Sequence, residues 1–178
     1  IGALNCNTLS PIGGLIAALA VTYGYARRKG IANRKLLDAL TPGFIVFAAA
    51  LALADYASGD GYGSPSSLPW SIELWGELRH PVQLYQLIAV ILIGLIVLRS
   101  NRSIAPHTAG GIFDGLHFGL FIALYSAARL FLEAFHGDST TYAGVRAMQL
   151  WSFGVLLVAV LWLRHWALLT RTETGEAA

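Results

Sequence analysis

Five long apolar stretches alternate with short polar connections along this chain. They cover residues 12–26, 36–54, 83–98, 115–135 and 149–168, each close to the roughly 20 residues an α-helix needs to cross a bilayer. The first and third are short and draw on neighbours such as Leu9 and Tyr85 to reach full thickness. The pattern predicts an all-α, polytopic helical membrane protein with about five transmembrane helices, forming a single transmembrane domain over residues 1–171. A polar tail over 172–178 follows. Between the second and third stretches, residues 58–67 carry turn chemistry, with glycine, serine and proline at high density. Residues 68–78 are amphipathic, and the expectation is an interfacial segment lying along the membrane surface with Trp70 and Trp75 at headgroup depth. No internal repeat is evident.

Charge placement gives an orientation. Arg27, Arg28, Lys29, Arg34, Lys35, Arg99, Arg102, Arg164 and Arg171 fall on one side of the predicted spans. The other side holds Arg79 and Arg146 together with Asp55, Asp60, Glu73, Glu77 and Asp138. The positive-inside rule makes the first side cytoplasmic, with the amino terminus outside and the carboxyl terminus inside. Composition agrees with a membrane setting: 56% of residues are hydrophobic and 12% charged. A net charge of +2 gives no reason to expect nucleic acid. Cys6 is the single cysteine, which excludes an internal disulfide and a cysteine-built metal site. His80, His107, His117, His136 and His165 have no ligand-pair spacing, so neither metal nor cofactor is expected. With no initiator methionine at Ile1, the sequence reads as a truncated or processed chain.

Against this apolar background, Tyr125, Arg129 and Glu133 recur at four-residue steps in the fourth stretch. That spacing puts them on one helical face, about 5–6 Å apart. An arginine at mid-membrane costs roughly 2.5–3.5 kcal/mol, so the stripe faces a cavity, a partner helix or a polar ligand. One reading is an Arg129–Glu133 pair that neutralises itself between helices. The other is an anion site in which the planar fork of Arg129 holds a phosphate, Glu133 positions it and Tyr125 donates a hydrogen bond.

A second motif is Arg79-His80-Pro81-Val82-Gln83-Leu84-Tyr85 at the entrance to the third span. Pro81 suits a first helical turn, and the helix N-terminus beside Arg79 and His80 favours an anion. The alternative is a pair of interfacial anchors. A third motif, Asp55 to Pro65, has enough glycine for backbone to approach a ligand closely, or to form an ordinary acidic turn. Gly13-Gly14, the tryptophans 151, 162 and 166, and the Asp114/His117 pair read as packing, interfacial and capping groups.

Together these segments resemble the prolipoprotein diacylglyceryl transferase family of bacterial membrane enzymes. Leu36-Leu37-Asp38-Ala39-Leu40-Thr41-Pro42-Gly43 is similar to "LLDLLAPG". Ser58-Gly59-Asp60-Gly61-Tyr62-Gly63-Ser64-Pro65 with Leu68-Pro69-Trp70 is similar to "NGELYGRP…LPW". Residues 79–85 resemble "RHPSQLY", the most specific match; residues 125–135 resemble "YGxxRFxxEFF", and 144–152 resemble "GLTMGQLLS". The family's first transmembrane portion has no counterpart in the chain. The resemblance implies a bacterial cytoplasmic-membrane protein handling phosphatidylglycerol. Its reaction would move diacylglycerol to a lipobox cysteine thiol and release glycerol phosphate. In that case His80, Tyr125 and Arg129 would be catalytic. Arg79, Gln83, Tyr85, Asp60, Tyr62, Arg129 and Glu133 would surround the lipid headgroup.

The sequence departs from the family pattern at chemical positions. The histidine of "SFHGG" is Ile12, the arginine of "GRIGNFINGE" is Ala52, and its asparagines are Asp55 and Ser58. These changes favour a relative with a degraded active site, a non-catalytic structural or lipid-binding subunit of a membrane complex with other protein subunits as partners. The alternative is an active transferase using His80, Tyr125 and Arg129. A small transporter is a weaker reading, since no inverted repeat or discontinuous helix pair is visible.

Overall fold

The computed structural model describes residues 11–104, 115–137, 139, 141–142 and 145–175, and these form a predominantly helical molecule. Helices α1 (Pro11–Arg28), α2 (Asn33–Ser58), α3 (Val82–Ile104), α4 (Leu116–Leu132) and α5 (Ala147–Gly175) match the five apolar stretches. Helices α1, α2, α3 and α5 extend past their hydrophobic stretches into flanking residues, α5 through residues 172–175, whereas α4 ends at Leu132 inside its stretch. A single 3-10 turn, Glu133–Phe135, follows α4. The expectations at Leu9, Asp114, Asp138 and His107 lie outside the described residues.

The expected count of five membrane-crossing helices is not met in full among the described residues. Four helices are long and apolar enough: Asn33–Ser58, Val82–Ser100, Leu116–Phe135 and Ala147–His165. Helix α1 ends on Arg27 and Arg28 after two tyrosines and a glycine in its last turns, which dilutes its apolar character. It buries Ala26 near its junction with α2, whereas Ile16, Val21, Tyr23 and Tyr25 are exposed.

Helix α4 packs on α2, α3 and α5 and is the centre of the arrangement. Ile93 and Val97 of α3 and Phe121 of α4 form the buried core, joined by Phe44 and Ile45 of α2. Close approach depends on two glycines: a Cβ on Gly94 would meet Ile45 Cγ2 at 3.0 Å, and one on Gly119 would meet Leu163 Cδ2 at 2.8 Å. Small residues at such crossings let membrane helices pack through dispersion, the main attraction available in lipid. The outward faces remain apolar, with Ile88, Ile91, Leu95 and Leu98 on α3 and Trp151, Phe153, Val158 and Leu161 on α5 exposed.

At one end of the bundle, Asp38 of α2 caps a different helix. Its Oδ2 accepts from Gly115 N–H at 2.7 Å and its Oδ1 from Phe118 N–H at 2.9 Å. His117 Nδ1 lies 3.5 Å from the same carboxylate. The first N–H groups of a helix have no partner within it, and a carboxylate there also answers the helix dipole. The sequence motif around Asp38 thus has a packing purpose. Four residues later, Pro42 lies inside α2, and Thr41 Oγ1 donates to Leu37 O at 2.9 Å.

At the opposite end, residues 68–78 lead into and through a short β-structure. They contain a hairpin, β1 (Ile72–Leu74) paired antiparallel with β2 (Glu77–Arg79). Its turn places Trp75 at φ 56° and Gly76 at φ 77°, the two left-handed residues that a tight hairpin turn requires. Trp70 and Trp75 are exposed, in keeping with an interfacial position. A second short ribbon joins β3 (Thr141–Tyr142) to β4 (Val145–Arg146).

The segment 62–66 runs as an extended strap between the hairpin and the end of α4. Ser64 N–H donates to Phe135 O at 2.8 Å, Gly137 N–H to Tyr62 O at 2.9 Å, and His80 N–H to Ser64 O at 3.1 Å. Gly63 is buried in the middle, where a Cβ would stand 2.2 Å from the His80 carbonyl oxygen.

Two outcomes follow for stability. Asp38→Ala leaves two helix N–H groups without their acceptor, each worth about 1–3 kcal/mol. Thermal unfolding in detergent should show a lowered midpoint that Asp38→Asn restores only in part. Gly63→Ala forces backbone apart and should cost about 1–3 kcal/mol. Limited proteolysis should then cut the 62–66 strap faster than in the parent, with an unchanged cutting rate arguing against the clamp.

Candidate functional site

Near the strap, the Tyr125–Arg129–Glu133 stripe faces inward and finds partners on α3. Arg129 Nη1 donates to Gln86 Oε1 at 2.9 Å, and Gln86 Nε2 donates to the Tyr125 hydroxyl at 3.4 Å. Tyr125 stacks on Phe121. Arg129 Nη2 stands 3.9 Å from Glu133 Oε2, too far for a hydrogen bond. The i, i+4 ion pair is thus present at long range, and the shorter contact of Arg129 is its hydrogen bond to the Gln86 amide.

Glu133 is 2% exposed, and a buried carboxylate demands compensation. Ser139 Oγ donates to its Oε1 at 2.7 Å, and His136 Nδ1 lies 3.8 Å from its Oε2. Arg146 closes the assembly from β4. Its Nη1 donates to the carbonyl of Glu133, to that of His136 at 3.0 Å and to Ser139 Oγ at 3.3 Å. A cation at the end of α4 satisfies carbonyls that the helix cannot, and favours the negative end of the helix dipole.

These groups line a cavity of about 230 Å³ bounded by Asp55, Gly61, Gln83, Gln86, Arg129, Glu133, His136, Ser139 and Met148. All four bilayer-length helices or their ends contribute to it. Gln83 is 4% exposed; its Nε2 donates to Asp60 O at 2.8 Å, while its Oε1 has no partner. A buried acceptor left over in a polar cavity calls for a donor from a ligand or water. The cavity thus presents guanidinium donors, one unfilled amide acceptor, the carboxylates of Glu133 and Asp55, and an imidazole.

A second, larger hollow of about 510 Å³ lies on the other side of α3 and α4 and is almost wholly apolar. Leu68, Trp70, Tyr85, Ile88, Leu92, Phe131 and Phe135 line it, with His80 at its polar end. Trp70 Nε1 donates to the Tyr85 hydroxyl at 2.7 Å, His80 Nδ1 lies 3.4 Å from that hydroxyl, and the His80 ring meets Phe135 edge-on. The two hollows share no lining residue.

The candidate residues from the sequence therefore separate into three places. Gln83, Arg129 and Glu133 come together at the polar cavity, with Tyr125 behind them. His80 and Tyr85 face the apolar hollow. Arg79 pairs with Glu77 at 2.6 Å, donates to Gly63 O at 3.2 Å and stacks over the Tyr62 ring at 4.9 Å, so Arg79 and Tyr62 fasten strap to hairpin. Asp60 reaches the cavity only through its carbonyl, since its carboxylate accepts from Ser58 Oγ at 2.8 Å. Of the departures from the family pattern, Ala52 is buried on α2 and Asp55 lines the cavity; the side chain of Ile12 lies outside the described residues.

Gln86, His136, Ser139 and Arg146 were not singled out from the sequence. Two of them had a signal. Gln86 repeats Gln83 after three residues, the one-face spacing of a helix, inside an apolar run. His136 continues the 125–129–133 stripe by three more. Ser139 and Arg146 come from a loop and a ribbon, where no periodicity points.

The chain is similar in sequence to known proteins. The family described as prolipoprotein diacylglyceryl transferase matches residues 3–165. A phosphatidylglycerol–prolipoprotein diacylglyceryl transferase of Finegoldia magna is 28% identical over 153 residues, covering 86% of this chain and 59% of that protein. Proteins of the same name from Methylococcus capsulatus and Clostridioides difficile are 31% and 30% identical, covering 86% and 77% of this chain and 61% and 52% of their own lengths. The chain thus spans between half and three-fifths of these relatives. With the match running through all five helices, the chain belongs to the prolipoprotein diacylglyceryl transferase family.

Proposed function

We propose that this protein is a phosphatidylglycerol–prolipoprotein diacylglyceryl transferase of the bacterial cytoplasmic membrane, acting at the outer face with its amino terminus outside and its carboxyl terminus inside. The observation that carries this reading is Arg129 in a polar cavity walled by apolar helices, hydrogen-bonded to Gln86 and 3.9 Å from the Glu133 carboxylate. The phosphate of phosphatidylglycerol would bind there, and the orphaned Oε1 of Gln83 would accept from a hydroxyl of the glycerol headgroup. Arg129 then acts twice. It binds the phosphate, and it stabilises the charge that gathers on phosphate oxygen as glycerol phosphate leaves. Gln86 and Tyr125 position it, since their hydrogen bonds fix the guanidinium plane.

A second reading is a lipid-binding relative that no longer transfers. It is favoured by Ala52 and Ile12, which stand where the family pattern has an arginine and a histidine. A complex with other membrane subunits belongs to that reading.

Transfer of labelled diacylglycerol from phosphatidylglycerol vesicles to a cysteine-containing lipobox peptide separates the two. An active enzyme gives thioether product with the parent protein and loses at least about 10²-fold with Arg129→Ala. Saturable phosphatidylglycerol binding that Arg129→Ala abolishes, with no product in either case, establishes the lipid-binding relative instead.

A further inference from the structure

We infer that His136, and not His80, is the general base that takes the proton of the attacking thiol. This inference rests on the transferase reading above. The chemistry sets the need: a cysteine thiol with a pKa of about 8.5 is mostly protonated at neutral pH, and only the thiolate attacks readily. The base has to stand in the same chamber as the group that holds the leaving phosphate. Arg129 defines that chamber, and His80 opens into the other hollow, with which it shares no wall residue.

His136 meets the requirement. It is 8% exposed and lines the polar cavity alongside Arg129. Its Nδ1 lies 3.2 Å from the carbonyl oxygen of Leu132, which can only accept. Nδ1 therefore carries the hydrogen, and Nε2 keeps its lone pair. No residue among those described donates to Nε2. Glu133 Oε2 stands 3.8 Å from Nδ1, beyond hydrogen-bond distance but close enough for its charge to stabilise the imidazolium once a proton arrives. The other charged groups around the ring are Arg129 from α4, Arg146 from β4 and Asp55 from α2.

The step balances without a further reactant. The thiol proton passes to His136 Nε2 as sulfur bonds to the terminal glyceryl carbon of the diacylglycerol. The carbon–oxygen bond to phosphate breaks, and its electron pair leaves on the phosphate oxygen beside Arg129. Glycerol phosphate departs, and the imidazolium returns its proton to water.

The test compares two nucleophiles in the transfer assay with the full chain. One lipobox peptide carries cysteine; the other carries selenocysteine, whose selenol is ionised at neutral pH and needs no base. His136→Gln should lower turnover of the cysteine peptide by about 10²–10⁴-fold, the usual contribution of a general base. The same variant should transfer to the selenocysteine peptide within about tenfold of the parent, and His136→Asn should repeat the pattern. His80→Gln should leave the preference between the two peptides unchanged. Arg129→Ala should fail with both, because the phosphate site is then lost. Equal loss by His136→Gln and His136→Asn on both peptides, or no loss on either, overturns the base assignment while leaving the transferase reading intact. A folded parent that transfers to neither peptide overturns both.

Discussion

A guanidinium and a carboxylate one turn apart on an otherwise apolar helix need partners on every side, and one end of this molecule is arranged to supply them. Gln86 comes from α3, Ser139 from a loop and Arg146 from a ribbon strand, and each satisfies part of Arg129, Glu133 or the carbonyls that end α4. In a medium without water, every unpaired group of this kind costs several kcal/mol. The strap through Gly63, the hairpin behind it and the tight junction with Phe135 and Gly137 hold those partners in place. The loop structure is therefore a consequence of the charges as much as a cover over them.

Helical periodicity then separates wet from dry. Gln83 and Gln86 point toward one chamber, whereas Tyr85, Ile88 and Leu92 on the same helix point toward another. Helix α4 divides the same way, with Arg129 and Glu133 on one side and Ala128, Phe131 and Leu132 on the other. A pair of helices can thus present polar and charged groups on one face and meet hydrocarbon on the opposite face. Neighbours in sequence, such as Tyr85 and Gln86, serve different surroundings, and the short motif from Arg79 to Tyr85 is shared among three jobs.

This division explains how far the sequence could be read. Length and hydropathy located all five helices, since the bilayer leaves few alternatives to a long apolar helix. The four-residue stripe on α4 identified Arg129 and Glu133 as inward-facing because charge in hydrocarbon has so few explanations. Tertiary geometry was not legible. His80 and Arg129 both belong to recognisable motifs, yet nothing in their spacing says that α3 turns one of them away from the other. The hairpin escaped notice because its signal, Trp75-Gly76, lacks the usual asparagine or aspartate before glycine. The cap at Asp38 was equally hidden, since its partners lie 77 and 80 residues further along the chain.

That same cap bears on how the protein is made. Synthesis delivers α2 long before α4, so the acceptor is already in the membrane when the donors emerge. The start of α4 can dock on Asp38 as soon as it is inserted. A rearranged gene that delivered α4 first would reverse that order and leave the incoming helix without a receptor for its leading end. Chain order in this protein thus serves as part of the assembly instructions, alongside the contacts of the finished molecule.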